Sequence, residues 1–477
     1  MTRSAAPEHI DVTNRRLHPR GDRVMAGHRA RHRAGTRTGY RTATTIAGVA
    51  AVALAIGVAR FALTPVAPLM LASGALPGIG ALARMAMANY LGNLAGTALC
   101  VTVIPRTAQL RALRVGAVTI VIVTAAMAGT TTGPSWLLLR AVAGLAGAVV
   151  FVCGSSIVIS GLDSRNAAAG TGRLYLGIGS GIALAALVVM PATGWRSAWL
   201  YLAALAAVLA FPACRWIRQP SSGIGTSGQG GPEQSPLQQR RSSAPAMTAL
   251  CAAFFLEGLG YIVTGTFLPD LPGRALSGGQ AWLVAGLAAL PSCALWGRFV
   301  SRRGLARVLP VAFAVQAAGI ALPALVASPA AGLLSAVLFG GTFAAIVAMV
   351  FAWARTLPGA PSPRSIGMLA CCYGAGQVLG PLLASSGIHL ALLLGAAAVA
   401  SATAPLLYLG WRTAQTRFCQ AGTARNSDVL ARRILEDGDM RAPELGDICA
   451  AELTVPAQRM PAATGTGAGA DSRAAVY

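Results

Sequence analysis

The sequence predicts an all-α membrane protein of twelve transmembrane helices arranged as two pseudo-symmetric six-helix halves. Three observations carry this. Of 477 residues, 55 % are apolar and 11 % charged, with a mean hydropathy of +0.61, whereas a water-soluble domain carries about 25 % charged residues. The acids are nearly confined to the tails: between Ala43 and Gly410 only Asp163, Glu233, Glu257 and Asp270 occur. Between the tails the chain falls into twelve apolar runs, each long enough, or nearly so, to cross about 30 Å of hydrocarbon as a helix.

The runs lie near 43–72, 81–104, 113–131, 135–160, 169–191, 195–217, 246–268, 280–300, 307–327, 331–355, 365–386 and 389–410. They are continuously apolar rather than alternating, which excludes a closed barrel of strands. Arginine orients them. The connectors after even-numbered spans, with their flanks, hold fifteen Arg, among them Arg106, Arg111, Arg114, Arg298, Arg302, Arg303 and Arg307. Those after odd-numbered spans hold three, Arg84, Arg196 and Arg274. The positive-inside rule then places both termini in the cytoplasm.

Residues 1–42 form a polar arm with ten Arg and no apolar stretch. It reads as a disordered basic cytoplasmic arm rather than a secretory signal. Residues 43–217 read as the N-terminal six-helix bundle and 246–410 as the C-terminal one. Between them 218–245, rich in Ser, Gly, Gln and Pro, reads as a cytoplasmic linker, and 411–477 as a mostly disordered cytoplasmic tail. The halves repeat in sequence. A shift of 201 lays Gly57-x-x-Arg60 and Pro68 on Gly258-x-x-Tyr261 and Pro269, and a shift of 197 lays Gly177-x-Gly179 on Gly374-x-Gly376. A duplicated six-helix unit is the layout of many secondary transporters.

The formal charge of +23, all of it from 38 Arg without a Lys, would suit nucleic acid. Here the arginines punctuate apolar runs instead of forming a polar domain, so no nucleic-acid partner is expected. The nine Cys show no C-x-x-C and no paired Cys/His spacing, so neither metal nor disulfide is expected. No nucleotide loop or hydrolase motif appears, so the chain reads as a non-enzyme without cofactor.

Within the spans, chemistry rests on few side chains. Glu257 is the sole carboxylate in any span, and an ionised acid there costs about 2.5–3.5 kcal/mol on insertion scales. It must face the bundle interior, pair with a cation, or carry a proton, which suits a proton-coupling acid. A static ion pair is the alternative. Arg60, midway along span 1, is the natural partner of Glu257 or the anchor of a substrate anion, because its planar fork suits a carboxylate. Arg140, about a turn into span 4, is a further cation. Asn89, Tyr90, Tyr175, Tyr261 and Gln377 are polar groups at depth that bind a solute or tie helices together. Trp195, Trp199, Trp282 and Tyr408 lie near span ends and read as an interfacial belt.

These residues carry a resemblance. Gly297, Arg298, Ser301, Arg302, Arg303, Gly304 and Arg307 follow a G-x-x-x-S-R-R-G-x-x-R pattern. It resembles the cytoplasmic gate motif of the major facilitator superfamily, with Ser301 where Asp is usual. Arg140-x-x-x-Gly144 with Ala148 is similar to the superfamily's fourth-helix motif. The segments GVARFALTPVAPLM (57–70), ANYLGNLAG (88–96), FLEGLGYIVTGTFLP (255–269), LFGGTFAAIVA (338–348) and YGAGQVLGPLLA (373–384) resemble the YbfB/YjiJ-type branch. The resemblance implies a twelve-helix secondary transporter of the bacterial inner membrane, working as a monomer, and favours export. It implies that Arg60, Asn89, Glu257, Tyr261 and Gln377 occupy the branch's recurring polar positions.

The reading is therefore a carrier of a small organic solute, proton-coupled through Glu257, with solute, protons and the lipid bilayer as its partners. Two rivals stand beside it: an uncoupled uniporter or anion exchanger that uses Arg60 for substrate, and a non-transporting sensor acting through the tail.

Overall fold

The computed structural model describes residues 43–160, 167–218, 236–268, 278–357 and 363–412. The arm 1–42, the body of the linker and the tail beyond Arg412 lie outside these residues. Among the described residues all regular structure is helical. We number the helices by span: α1 Ala43–Ala72, α2 Ile79–Thr102, α3 Gln109–Gly129, α4 Gly133–Ser160, α5 Ala167–Val189 and α6 Trp195–Trp216. The second set is α7 Pro236–Phe267, α8 Gly278–Arg303, α9 Leu305–Leu325, α10 Pro329–Thr356, α11 Pro363–Leu379 with a tighter coil over Gly380–Ser386, and α12 Ile388–Ser401, helical again over 403–410.

Eleven of the twelve are long and apolar enough to cross a membrane by composition alone. The exception, α2, has 24 residues and ample length. Its Arg84, Asn89, Tyr90 and Asn93 lower its mean hydropathy, and two of these, Asn89 and Tyr90, are buried against other helices. One boundary differs from the sequence reading. Helix α7 begins at Pro236, inside the stretch read as linker. Its Gln/Arg/Ser run tolerates helix, and Pro245 sits within the helix rather than starting it.

The termini follow local chemistry. The Ser328 side chain accepts from the Ala331 N–H and Pro329 opens α10, pairing an N-cap with a residue that has no N–H to lose. The reversal from α8 to α9 turns on Gly304 at φ +80°, a conformation costly for any residue with a Cβ.

Two halves of matching design result. In the first, α1 packs on α4, α5 and α6, α2 on α4, and α3 on α4 and α6; in the second, α7 packs on α10, α11 and α12, α8 on α10, and α9 on α10 and α12. Between the halves the main contacts are α5 with α8 and α2 with α11. Glycine makes both close approaches possible. Gly179 lies against the backbone of Gly286 and Leu290 on α8, and Gly374 of α11 lies against the Leu94 side chain on α2. Outward faces carry Val115, Val118 and Ile122 on α3 and Leu200, Val208 and Phe211 on α6, all exposed, as lipid contact requires.

Candidate transport site

The site is built on a break in α1. Leu54–Arg60 is wound as a π-helix, Phe61 and Ala62 form a turn, and α-helix resumes at Leu63. Pro65 dictates this. It has no N–H for the Phe61 carbonyl, so the Thr64 N–H takes that carbonyl instead, at 3.1 Å. The Arg60 carbonyl thereby loses its regular helical donor. Gly57 inside the π segment lies against the Gly181 backbone of α5, where a Cβ would fall well inside contact distance.

The freed carbonyls are claimed by neighbouring helices. Arg140 Nη2 on α4 donates to the Arg60 carbonyl at 2.9 Å and the Ala59 carbonyl at 3.2 Å. Asn89 Nδ2 on α2 donates to the Ala59 carbonyl at 3.0 Å and the Arg140 carbonyl at 2.9 Å. Both side chains are buried. Arg140 also lies 5.9 Å over the Trp199 ring. Arg140 and Asn89, expected as solute or ion-pair residues, are therefore occupied in this structure with holding the backbone of α1.

Held this way, Arg60 projects toward the other half. Its Nη2 donates to the Tyr261 hydroxyl of α7 at 2.9 Å. Gln377 Nε2 on α11 donates to the same oxygen at 3.2 Å. The guanidinium carbon lies 5.3 Å from the centre of the Phe61 ring and 5.7 Å from that of Tyr90, within cation–π range. Rings extend the site in near-parallel order: Tyr373 on Tyr261 at 5.5 Å and 7°, Phe254 on Tyr373 at 4.1 Å and 14°, and Phe343 beside Tyr261 at 6.1 Å and 5°.

The expected Arg60–Glu257 pair is not formed. Glu257, wholly buried, is the only carboxylate among the described residues, and neither of its oxygens has a hydrogen-bond partner. Its polar neighbour is Gln316 on α9, whose amide is also buried without a hydrogen bond. Arg60 is bonded instead to Tyr261, and Tyr373 stacks on that same phenol. The reason is helical. Glu257 stands one turn before Tyr261 on the same face of α7, so the two lie at different levels of the bundle, and it is Tyr261 that comes level with Arg60.

Sequence reasoning missed Tyr373 and Gln316. The first stands four residues before Gln377, on the same helix face; the second is a lone amide in an apolar span. Both were legible as polar groups at depth. Trp199 and Trp282, read as interfacial belt, are instead fully buried. Trp282 meets Phe61 edge-on at 5.3 Å, because their proximity to span ends counted for less than the inter-helix space they fill.

The gate motif lies apart from this centre, at the arginine-rich end. Gly297, Arg298 and Ser301 line a pocket of about 380 Å³ with Gly172 and Arg173 of α5. The Ser301 hydroxyl donates to the Arg298 carbonyl within its own helix, at 2.8 Å. Arg302, Arg303 and Arg307 are exposed. At the opposite end the halves are joined: Thr64 donates to the Gly265 carbonyl at 3.0 Å, and the Tyr90 and Thr266 hydroxyls share a bond of 3.0 Å.

A sequence model of the family described as "Uncharacterised MFS-type transporter YbfB" matches residues 52–407. The chain belongs to this family. As a YbfB-type protein of the major facilitator superfamily it is a multi-pass membrane transporter. A crystal structure of a variant of the nucleoside transporter NupG shares the fold, with a TM-score of 0.52 at 15 % identity, over 78 % of this chain and 98 % of that one. No curated protein matches. The matched region takes in the whole α1 break, Glu257, Tyr261 and Gln377 of this YbfB-type transporter.

Proposed function

We propose that the protein is a proton-coupled secondary transporter that exports a small organic solute across the inner membrane by alternating access of its two halves. The observation that carries the coupling is Glu257: wholly buried at mid-span, with neither oxygen hydrogen-bonded. An ionised carboxylate in that setting is costly without a partner, so in this conformation the acid holds its proton. Rocking of the halves breaks the Arg60–Tyr261 bond and lets water or the guanidinium reach the carboxyl, which releases the proton. Export is the direction that the family resemblance favours.

The test is transport by protein reconstituted in vesicles, with a solute found by thermal-shift screening. Glu257→Gln keeps size but cannot ionise. It should abolish accumulation driven by a pH gradient while exchange of solute for solute persists. Undiminished accumulation by this variant overturns the coupling.

One observation favours the anion-exchanger reading as well: among the described residues Arg60 has no acidic partner. In that case solute addition moves no protons, and Glu257→Gln leaves net transport intact.

A further inference from the structure

We propose that the central site takes a planar aromatic monocarboxylate, its carboxylate on Arg60 and its ring against the rim of Tyr373. The assignment rests on the carrier reading above but not on the role of Glu257.

Charge comes first. Arg60 is half-buried between the two halves, and the hydrogen bond of its side chain goes to a neutral phenol. Its Nε is buried without any hydrogen bond. A guanidinium in an apolar bundle calls for an anion, and its fork matches a carboxylate through two parallel bonds. The wholly buried Gln377 leaves its Oε1 unpartnered beside the same Tyr261 hydroxyl.

The number of charges limits the ligand further. Arg140, the other cation nearby, also has a buried Nε without a hydrogen bond, but it is almost wholly buried, its Nη2 is on the Ala59 and Arg60 carbonyls, and it lies over Trp199. A single accessible guanidinium suits a monoanion and leaves a dianionic phosphate half-neutralised.

Shape follows from the rings. Phe254, Tyr373, Tyr261 and Phe343 run in near-parallel succession, and Phe61 and Tyr90 flank the guanidinium. Tyr373 alone of the four stacked rings is partly exposed, and since Phe254 and Tyr261 take its two faces, what it offers a ligand is its rim. A flat aromatic ring packs its π face on such a rim in a T-shaped pair, whereas a puckered saturated ring has no π face to offer.

The experiment uses purified full-length protein in nanodiscs and radiolabelled benzoate, with unlabelled 2-naphthoate, benzyl alcohol, cyclohexanecarboxylate and phenyl phosphate as competitors. Benzoate should bind and 2-naphthoate displace it. Benzyl alcohol and phenyl phosphate should compete at least about tenfold less well, since each lacks a charge-matched fork partner. Arg60→Lys should weaken benzoate about 10- to 100-fold. Tyr373→Leu should erase the preference for benzoate over cyclohexanecarboxylate. Absence of benzoate and naphthoate binding to folded wild-type protein overturns the assignment, as does equal competition by benzyl alcohol. Both wild-type readings hold even if the variants fail to fold. Accumulation of a neutral solute on a proton gradient, without benzoate binding, would leave the carrier standing and remove this substrate class alone.

Discussion

Arg60 and Tyr261 are equivalent positions of the two halves, 201 residues apart, and they bond to each other at 2.9 Å. The same holds one turn on, where Thr64 donates to the Gly265 carbonyl at the same separation, 3.0 Å away. Residues related by a two-fold operation meet only on its axis. Arg60 at the α1 break and Tyr261 of α7 therefore lie on the pseudo-two-fold axis. The duplication kept the place and changed the chemistry: a cation in one half, a phenol in the other.

Asn89 is expected to act on stability before transport. Asn89→Ala removes one donor from each of the Ala59 and Arg140 carbonyls in a buried setting, while Arg140 Nη2 still reaches the Ala59 carbonyl. Each lost bond costs about 0.5–1.5 kcal/mol. Thermal unfolding in detergent should shift down clearly, whereas an unchanged midpoint would mean that these bonds do not hold the break.

Gly57 and Gly297 should behave oppositely. A Cβ at Gly57 strikes the Gly181 backbone, while nothing lies within 4 Å of one at Gly297. Gly57→Ala should cost about 1–3 kcal/mol or more as overpacking and reduce the yield of folded protein. Gly297→Ala should purify and melt as the parent does. Equal yields of the two would contradict the packing described.

Arg60 and Glu257 form no ion pair, so neutralising both should not rescue either. In a double-mutant cycle with Arg60→Gln and Glu257→Gln, the stability changes should add within about 0.5 kcal/mol. Coupling well above that, with recovered folding in the double variant, would place the two charges in contact in the prevailing conformation.

The arginine bias of the connectors also predicts topology. Reporter fusions that are active only in the periplasm should be silent at Gly230 and active near Gly129. Activity at Gly230 would invert the orientation.

Much of the architecture was legible without coordinates, for a physical reason. A helix in lipid must satisfy its own backbone, so length and hydropathy nearly suffice to place it. Helix α2 shows where that reasoning thins: its Asn89 and Tyr90 look polar in sequence because they serve neighbouring helices. The repeat was legible too, since glycine spacing and the Gly57/Gly258 match survive duplication. Arg60 and Glu257 stood out because charge at such depth is rare.

What only the tertiary structure decided was which groups meet. Composition puts one cation and one acid at similar depth in spans 1 and 7, and opposite charges invite pairing. The fold instead brings Tyr261 level with Arg60 and leaves Glu257 one turn away on the same face of α7. It also occupies Arg140 and Asn89 with the broken backbone: Arg140 takes the Arg60 carbonyl that Pro65 leaves open, and Asn89 takes the neighbouring Ala59 carbonyl. Approximate depth in the membrane is a one-dimensional property that a sequence carries. Which side chains of two helices come level and face each other depends on how twelve helices pack, and that is set by contacts far apart along the chain.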